Sequence, residues 1–391
     1  MPDRALKAYE QFREARYFGS LDGLRGLSIL GVVWFHTWFT TAYYPSLQKI
    51  PVLHLCEFGV HVFFGISGFL ITTLLLRERE RYGDISLRDF YMRRALRIWP
   101  VYYATLAFYI ALVMATERHT ERGPLFFHYR PGYLTYTVTW FPRFFASGVI
   151  FNFAWSLATE EQFYCFWPAV LRTLRGWGAA LVMAASIALH FAARYGLLAG
   201  FIRQGSLFDL IVWSIPVPIC LGSLLAQALD TQAGFRILYA VLGQKWSAPA
   251  SAALLLAALI PAEPILPLGW TAVALLVGAC VIREDHGLAP LLRWQPLAFV
   301  GLVSYGMYLF NTLCVRVVHV AMNRIGWGHP LAAFAPTVAL TVLAAWLSYR
   351  FVEMPFLALK SRFTRKPRAA MPVVEPVPAV SAKVAMASTN S

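Results

Sequence analysis

Apolar and polar positions alternate along this chain on a scale of about twenty residues rather than two or three. Ten apolar blocks can be drawn, over approximately 24–43, 58–76, 98–116, 148–171, 177–195, 207–229, 248–262, 267–282, 297–320 and 331–352. Most have about the length, roughly 20 residues, that carries an α-helix across a hydrocarbon core. The seventh is short, and a proline-rich link, PAEPILP, joins it to the eighth. The pattern predicts an all-α, polytopic transmembrane bundle of about ten spans. No internal repeat or inverted pair of halves is visible.

Composition supports that expectation. Hydrophobic residues make up 58% of the 391 positions and charged residues 14%, whereas a soluble globule carries about 25% charged residues. So little charge cannot cover a water-facing surface of this size. The net charge of +14 could suggest nucleic acid, but its placement reads as topology. With both termini inside, most Lys and Arg fall on one side: the amino-terminal segment, the loop RERERYGDISLRDFYMRR and the tail KSRFTRKPR among them. This is the bias of cytoplasmic loops. Residues 1–20 read as a basic cytoplasmic segment without a cleavable signal, 21–358 as the membrane domain, and 359–391 as a basic, then disordered cytoplasmic tail. The five cysteines are scattered without CxxC or disulfide-like spacing. They read as small core residues.

Inside this apolar background a few ionisable residues stand out, and ionisable groups at membrane depth are costly. In LRGLSILGVVWFH, Arg25 and His36 are eleven residues apart, which puts them on one helical face about 16 Å apart along the axis. A neutral histidine can take a proton from a hydroxyl; the plain alternative is a histidine bonded to a neighbouring helix and an arginine reaching the head groups. In FYMRRALRIWPVYY, Arg94 and Arg97 project from one face. Together with Arg93 and Arg25 they could cup a ligand with several phosphates, or anchor the inner side on anionic lipid. In WSLATEEQFYCFWP, Glu160 and Glu161 point about 100° apart, and a carboxylate facing the histidine would orient or charge it. The stretch FFGISGFLI places Gly65, Ser67 and Gly68 in the second span, where helix packing is the default. SYGMYLFN ends in Asn311, which reads first as a helix-packing amide. His54, His61, His190 and His319 form no metal-ligand pattern. The outer loop near 117–147, rich in aromatics, reads as an interfacial belt, with part of an acceptor pocket as the alternative.

These segments, in this order, resemble the acyltransferase-3 family of integral membrane O-acyltransferases, from Leu21 to about Pro355. The resemblance implies about ten spans and transfer of an acyl group, most often acetyl from acetyl-CoA, to a hydroxyl of a sugar, glycan, glycolipid or glycosylated metabolite. It implies Arg25 and His36 as essential first-span residues, Arg94 and Arg97 as the cytoplasmic pair that binds the donor, and Glu160 as the acidic position of the fourth-span motif. It implies no metal and no nucleic acid, with acyl-CoA, a hydroxylated sugar-containing acceptor and membrane lipids as partners, in a cell membrane. The family often has His where this chain has Asn311, and a neutral amide cannot shuttle a proton. The chain ends soon after the tenth block, so an additional hydrolase-like domain is not expected. The expected chemistry is general-base catalysis by His36 with Glu160 as its partner. A proton-coupled transporter or flippase of an anionic or glycosylated solute is the competing reading, since carriers also use intramembrane His, Arg and Glu.

Overall fold

A computed structural model describes residues 2–15, 17–39, 58–261 and 264–363. His54, Cys56, the end of the first block and the tail from 364 lie outside the described residues. Among the described residues the fold is all-helical, without strands. The principal helices are α1 (Pro2–Glu14), α2 (Gly19–Phe39), α3 (Gly59–Tyr82), α4 (Leu87–Thr116), α5 (Ala154–Thr173), α6 (Trp177–Arg194), α7 (Val217–Asp230), α8 (Gln232–Leu242), α9 (Ser247–Leu259), α10 (Leu266–Ile282), α11 (Gln295–Leu302), α12 (Ser304–Arg324) and α13 (Pro330–Ser348). Four helical stretches are long and apolar enough to cross a membrane, those of α3, α4, α6 and α13 with its continuation to Phe363. The number rises to as many as seven when each bent helix pair is taken as one span. Helices α9 and α10 are apolar but shorter.

Two predicted blocks are broken rather than straight. Over 207–229, the short helix Leu207–Trp213 and α7 meet at 56°. The sequence Ser-Ile-Pro-Val-Pro explains the break, because Pro216 has no N–H to donate and disfavours a helical Ile215. Over 297–320, α11 and α12 meet at 78° across Val303. Eight residues of α11 span only about 12 Å, so the crossing helix starts at Ser304.

Helix α3 is the central post. Its most extensive partner is α7, and the two backbones nearly touch: a Cβ on Gly68 would lie 2.1 Å from the Ile219 carbonyl oxygen. Glycine at that point is a packing requirement, as expected of small residues between membrane helices. A polar thread crosses the same contact. Trp167 Nε1 on α5 donates to Thr72 Oγ1 on α3 (2.7 Å), and Thr72 donates to Ser223 Oγ on α7 (3.0 Å). Helix α1 is held outside this bundle by Arg13, which pairs with Asp230 at 2.5 Å and with Glu80. Helix α4 starts earlier than its apolar block because Ser86 caps it, accepting from the Asp89 backbone N–H at 3.3 Å. Arg94 and Arg97 therefore sit on the helix itself.

The aromatic outer loop differs from the expected belt. Phe126, Tyr133, Phe144 and Phe151 are fully buried and pack on one another with ring centroids 5.1–6.4 Å apart. Short helices at Arg122–His128 and Arg130–Thr135 fold these rings inward. Rings enclosed by protein cannot serve as a belt at the lipid–water boundary; they cap the bundle.

Candidate active site

Four of the five residues singled out by the sequence meet at one place. Arg25 comes from α2, Arg94 and Arg97 from α4, and Glu160 from α5, and all four line a cavity of about 110 Å³ with Ser67 and Tyr308. The three arginines also line a second cavity of about 290 Å³, together with Glu78, Arg93 and Lys360. They are thus the shared wall between a basic vestibule on the side of the 77–94 loop and an inner chamber. The α4 pair reaches both because a three-residue step keeps side chains on one helical face.

The guanidinium groups of this wall retain donors. Arg94 lies over the ring of Tyr164 (5.0 Å) and near that of Phe90 (5.9 Å). Arg25 has Asp22 at 3.5 Å. Arg97 makes no hydrogen bond or ion pair among the described residues, and Glu353 is within electrostatic reach of it. Arg93 is different: it pairs with Glu78 at 2.8 Å and donates to the Phe363 carbonyl at 2.7 Å. It braces the vestibule while the other three face the space. A planar fork with unspent N–H groups suits phosphate or carboxylate oxygens.

Glu160 accepts a hydrogen bond from Ser67 at 2.8 Å. The direct carboxylate–imidazole contact suggested by the sequence is not formed. The two helices bring Glu160 to Ser67 on α3, while His36 on α2 meets α12. His36 Nδ1 and Asn311 Oδ1 are 2.5 Å apart. The amide orientation is fixed from both sides, since Asn311 Nδ2 donates to the Tyr308 carbonyl (2.5 Å) and the Thr312 hydroxyl donates to Oδ1 (3.3 Å). Oδ1 is then an acceptor, so the imidazole donates from Nδ1 and keeps its lone pair on Nε2. Asn311 takes the orienting position that the sequence gave to Glu160.

His36 does not line the inner chamber. The chamber wall reaches Tyr308, three residues before Asn311 on the same helix. The Tyr308 hydroxyl lies 2.5 Å from Ser156 Oγ and donates to the Phe153 carbonyl at 3.2 Å. A line of polar groups therefore runs from His36 through α12 to the chamber and α5.

Sequence reasoning missed Ser67 as a partner of Glu160, and it missed Glu353. Glu353 is 5% exposed at the end of a π-helical turn, Tyr349–Glu353, a distortion frequent at functional sites. A carboxylate one residue before Met-Pro, within an apolar run, was the available signal. Glu161 is also enclosed, with Oε1 unpaired among the described residues. Among the described residues, no group of three or more His, Cys, Asp or Glu could hold a metal ion.

Comparison with known proteins fits this arrangement. The family described as an acyltransferase domain matches residues 18–350. The peptidoglycan O-acetyltransferase OatA of Listeria monocytogenes is 27% identical over 379 residues, covering 87% of this chain and 56% of its own length. YrhL of Bacillus subtilis, provisionally named a peptidoglycan O-acetyltransferase, is 27% identical over 375 residues, covering 89% of this chain and 56% of its own. A Staphylococcus aureus (strain COL) protein provisionally named an O-acetyltransferase is 26% identical over 377 residues, covering 90% and 59%. The chain thus spans less than two thirds of the length of the curated relatives it matches. No solved structure matches it. With a family match over most of its length and the family's motif residues gathered around one chamber, this chain belongs to the acyltransferase-3 family.

Proposed function

We propose that this protein is a membrane O-acyltransferase that moves an acyl group, acetyl by preference, from acyl-CoA to a hydroxyl of a sugar-containing acceptor. The observation that carries this reading is the convergence of Arg25, Arg94 and Arg97 on the wall between vestibule and chamber. The names of the relatives support acetyl as the group and a glycan as the acceptor. We read residues 21–358 as the acyltransferase domain, crossing a cell membrane ten times with both termini cytoplasmic.

In this reading the phosphates of the donor bind in the vestibule on Arg94, Arg97 and Arg25. The pantetheine arm passes between them into the chamber. His36 Nε2 takes the proton of the acceptor hydroxyl as its oxygen attacks the thioester carbonyl. The tetrahedral intermediate collapses, the C–S bond breaks, and the imidazolium returns the proton to the leaving thiolate. Asn311 keeps the imidazole in the tautomer that this step requires. Glu160 acts at the chamber wall, holding Ser67 and balancing the charge of the three arginines. Fixing donor, hydroxyl and base in a dry site supplies much of the rate.

The test is transfer of labelled acetyl from acetyl-CoA in membranes containing His36→Ala. The expected loss is about 10²–10⁴-fold, the usual range for a general base, with acetyl-CoA affinity unchanged. Near-normal transfer by this variant would remove His36 from the base role.

A further inference from the structure

A third cavity, of about 390 Å³, lies beside the chamber, lined by His61, Trp155, His190, Trp213 and Trp270 among others. Its volume is within the range of small-molecule sites, about 300–1,000 Å³. His61 precedes Arg77 on α3 by sixteen residues, about 24 Å along the helix. The cavity is therefore far from the basic end of that helix. We propose that it is the acceptor subsite and holds a neutral sugar ring; this rests on the acyltransfer reading above.

Three observations point to a neutral sugar. First, the lining contains indole and imidazole rings and no Lys, Arg, Asp or Glu, so an anionic ligand would find no countercharge. Pyranose C–H faces pack well on flat aromatic rings. Second, the rings carry hydrogen-bonding atoms without partners among the described residues. His190 and Trp270 are each 6% exposed, and neither His190 Nε2 nor Trp270 Nε1 is paired. His190 Nδ1 lies 3.4 Å from the Val212 carbonyl, to which it can only donate, so Nε2 is an acceptor. The Trp270 N–H is a donor. A hydroxyl both donates and accepts, so a sugar satisfies both groups, whereas an alkyl chain leaves them unpaired at a cost.

Third, the cavity is adjacent to the chemistry. Phe64 lines both it and the chamber, and the Phe64 and Trp155 rings meet edge to face at 5.8 Å. Helix α5 turns Trp155 and Thr159 to the aromatic cavity, and Ser156 and Glu160 to the chamber. The four residues form two stripes about 100° apart. A sugar held against Trp155 stands one ring's thickness from the chamber into which the donor's thioester is proposed to reach.

The experiment uses the full chain in nanodiscs and a soluble, neutral N-acetylglucosamine tetramer as probe. Trp213→Ala, at a half-exposed site, is expected to weaken tetramer binding about tenfold. Trp270→Phe and His190→Leu should each weaken it about three- to tenfold, the range for one lost neutral hydrogen bond. Acetyl-CoA affinity, measured on the same samples, should equal that of the wild type, which also reports that each variant is folded. Unchanged tetramer affinity in Trp213→Ala, or wild-type protein that ignores the tetramer, overturns the proposal. So does dodecanol binding that is lost in these variants while tetramer binding is kept, which would assign the cavity to a lipid tail. Failure of wild-type protein to bind acetyl-CoA would strike at the acyltransfer reading and leave the tetramer result standing.

Discussion

The arginine wall and the aromatic cavity are built on opposite principles within one bundle. Around the wall, charge is brought into a low-dielectric interior and left with unspent donors; Arg97 makes no hydrogen bond or ion pair among the described residues. Around the cavity, charge is excluded and the polar atoms belong to rings. The first arrangement suits a ligand that brings its own negative charge, and the second suits one that brings none. Each region is costly when empty: buried charge requires a partner, and so do the unpaired ring nitrogens. The contrast shows how one bundle can separate two chemically unlike ligands with a partition no thicker than a phenyl ring.

The comparison breaks most readily at the wall. Replacing Arg94 and Arg97 together with Ala should reduce acetyl-CoA affinity by at least about 100-fold, since each charge-assisted bond is worth roughly 1.5–3 kcal/mol. Tetramer binding should be unaffected. Calorimetry with each ligand in turn checks this, and equal losses for both would show that the two regions are not independent.

A smaller effect is expected between the regions. Asn311→Leu leaves the imidazole N–H without its acceptor, so the wrong tautomer competes. Acetyl transfer should fall about 10–100-fold, with both ligand affinities retained. Asn311→His, the residue the family often has there, should recover transfer to within several-fold. Single-turnover rates distinguish this orienting role from loss of folding, which would also abolish binding.

The smallest effect lies at the start of α2. His286, in the loop after α10, is 1% exposed and lies 2.9 Å from Ser20 Oγ. Burial, with Arg293 nearby, pushes its pKa down to about 4 from an ordinary 6.5. The folded state therefore prefers the neutral ring. Its contribution to stability is complete above about pH 6.5 and is lost as the pH falls toward 4. Thermal melts from pH 7 to 4 should show a steeper decline for the wild type than for His286→Gln, with the α2 end that carries Arg25 loosening first.

Much of this site was legible because helical period is a local property. Spacings of eleven and three residues placed Arg25 with His36, and Arg94 with Arg97, without knowledge of any neighbour. The bends at Pro216 and Val303 were less legible, since an apolar block reads alike whether its helix is straight or broken. Pairings across the fold were not legible at all. His36 and Asn311 are 275 positions apart, and only packing decides that an amide rather than Glu160 meets the imidazole. The outer-loop aromatics were misread for the same reason: boundary rings and capping rings have one composition and differ only in what covers them. Ser67 was read as a packing residue, and its carboxylate partner lies 93 positions away.

The two stripes of α5 set a limit on how this protein can change over time. Substitution at 155, 156, 159 or 160 alters one compartment and leaves the other alone, so the two specificities can drift separately. A single inserted or deleted residue ahead of Trp155 is another matter, because it turns everything after it by about 100°. Both stripes would then miss their compartments at once. Among descendants of this sequence, the length of the turn from Ala154 to Glu160 should stay fixed even where its letters do not.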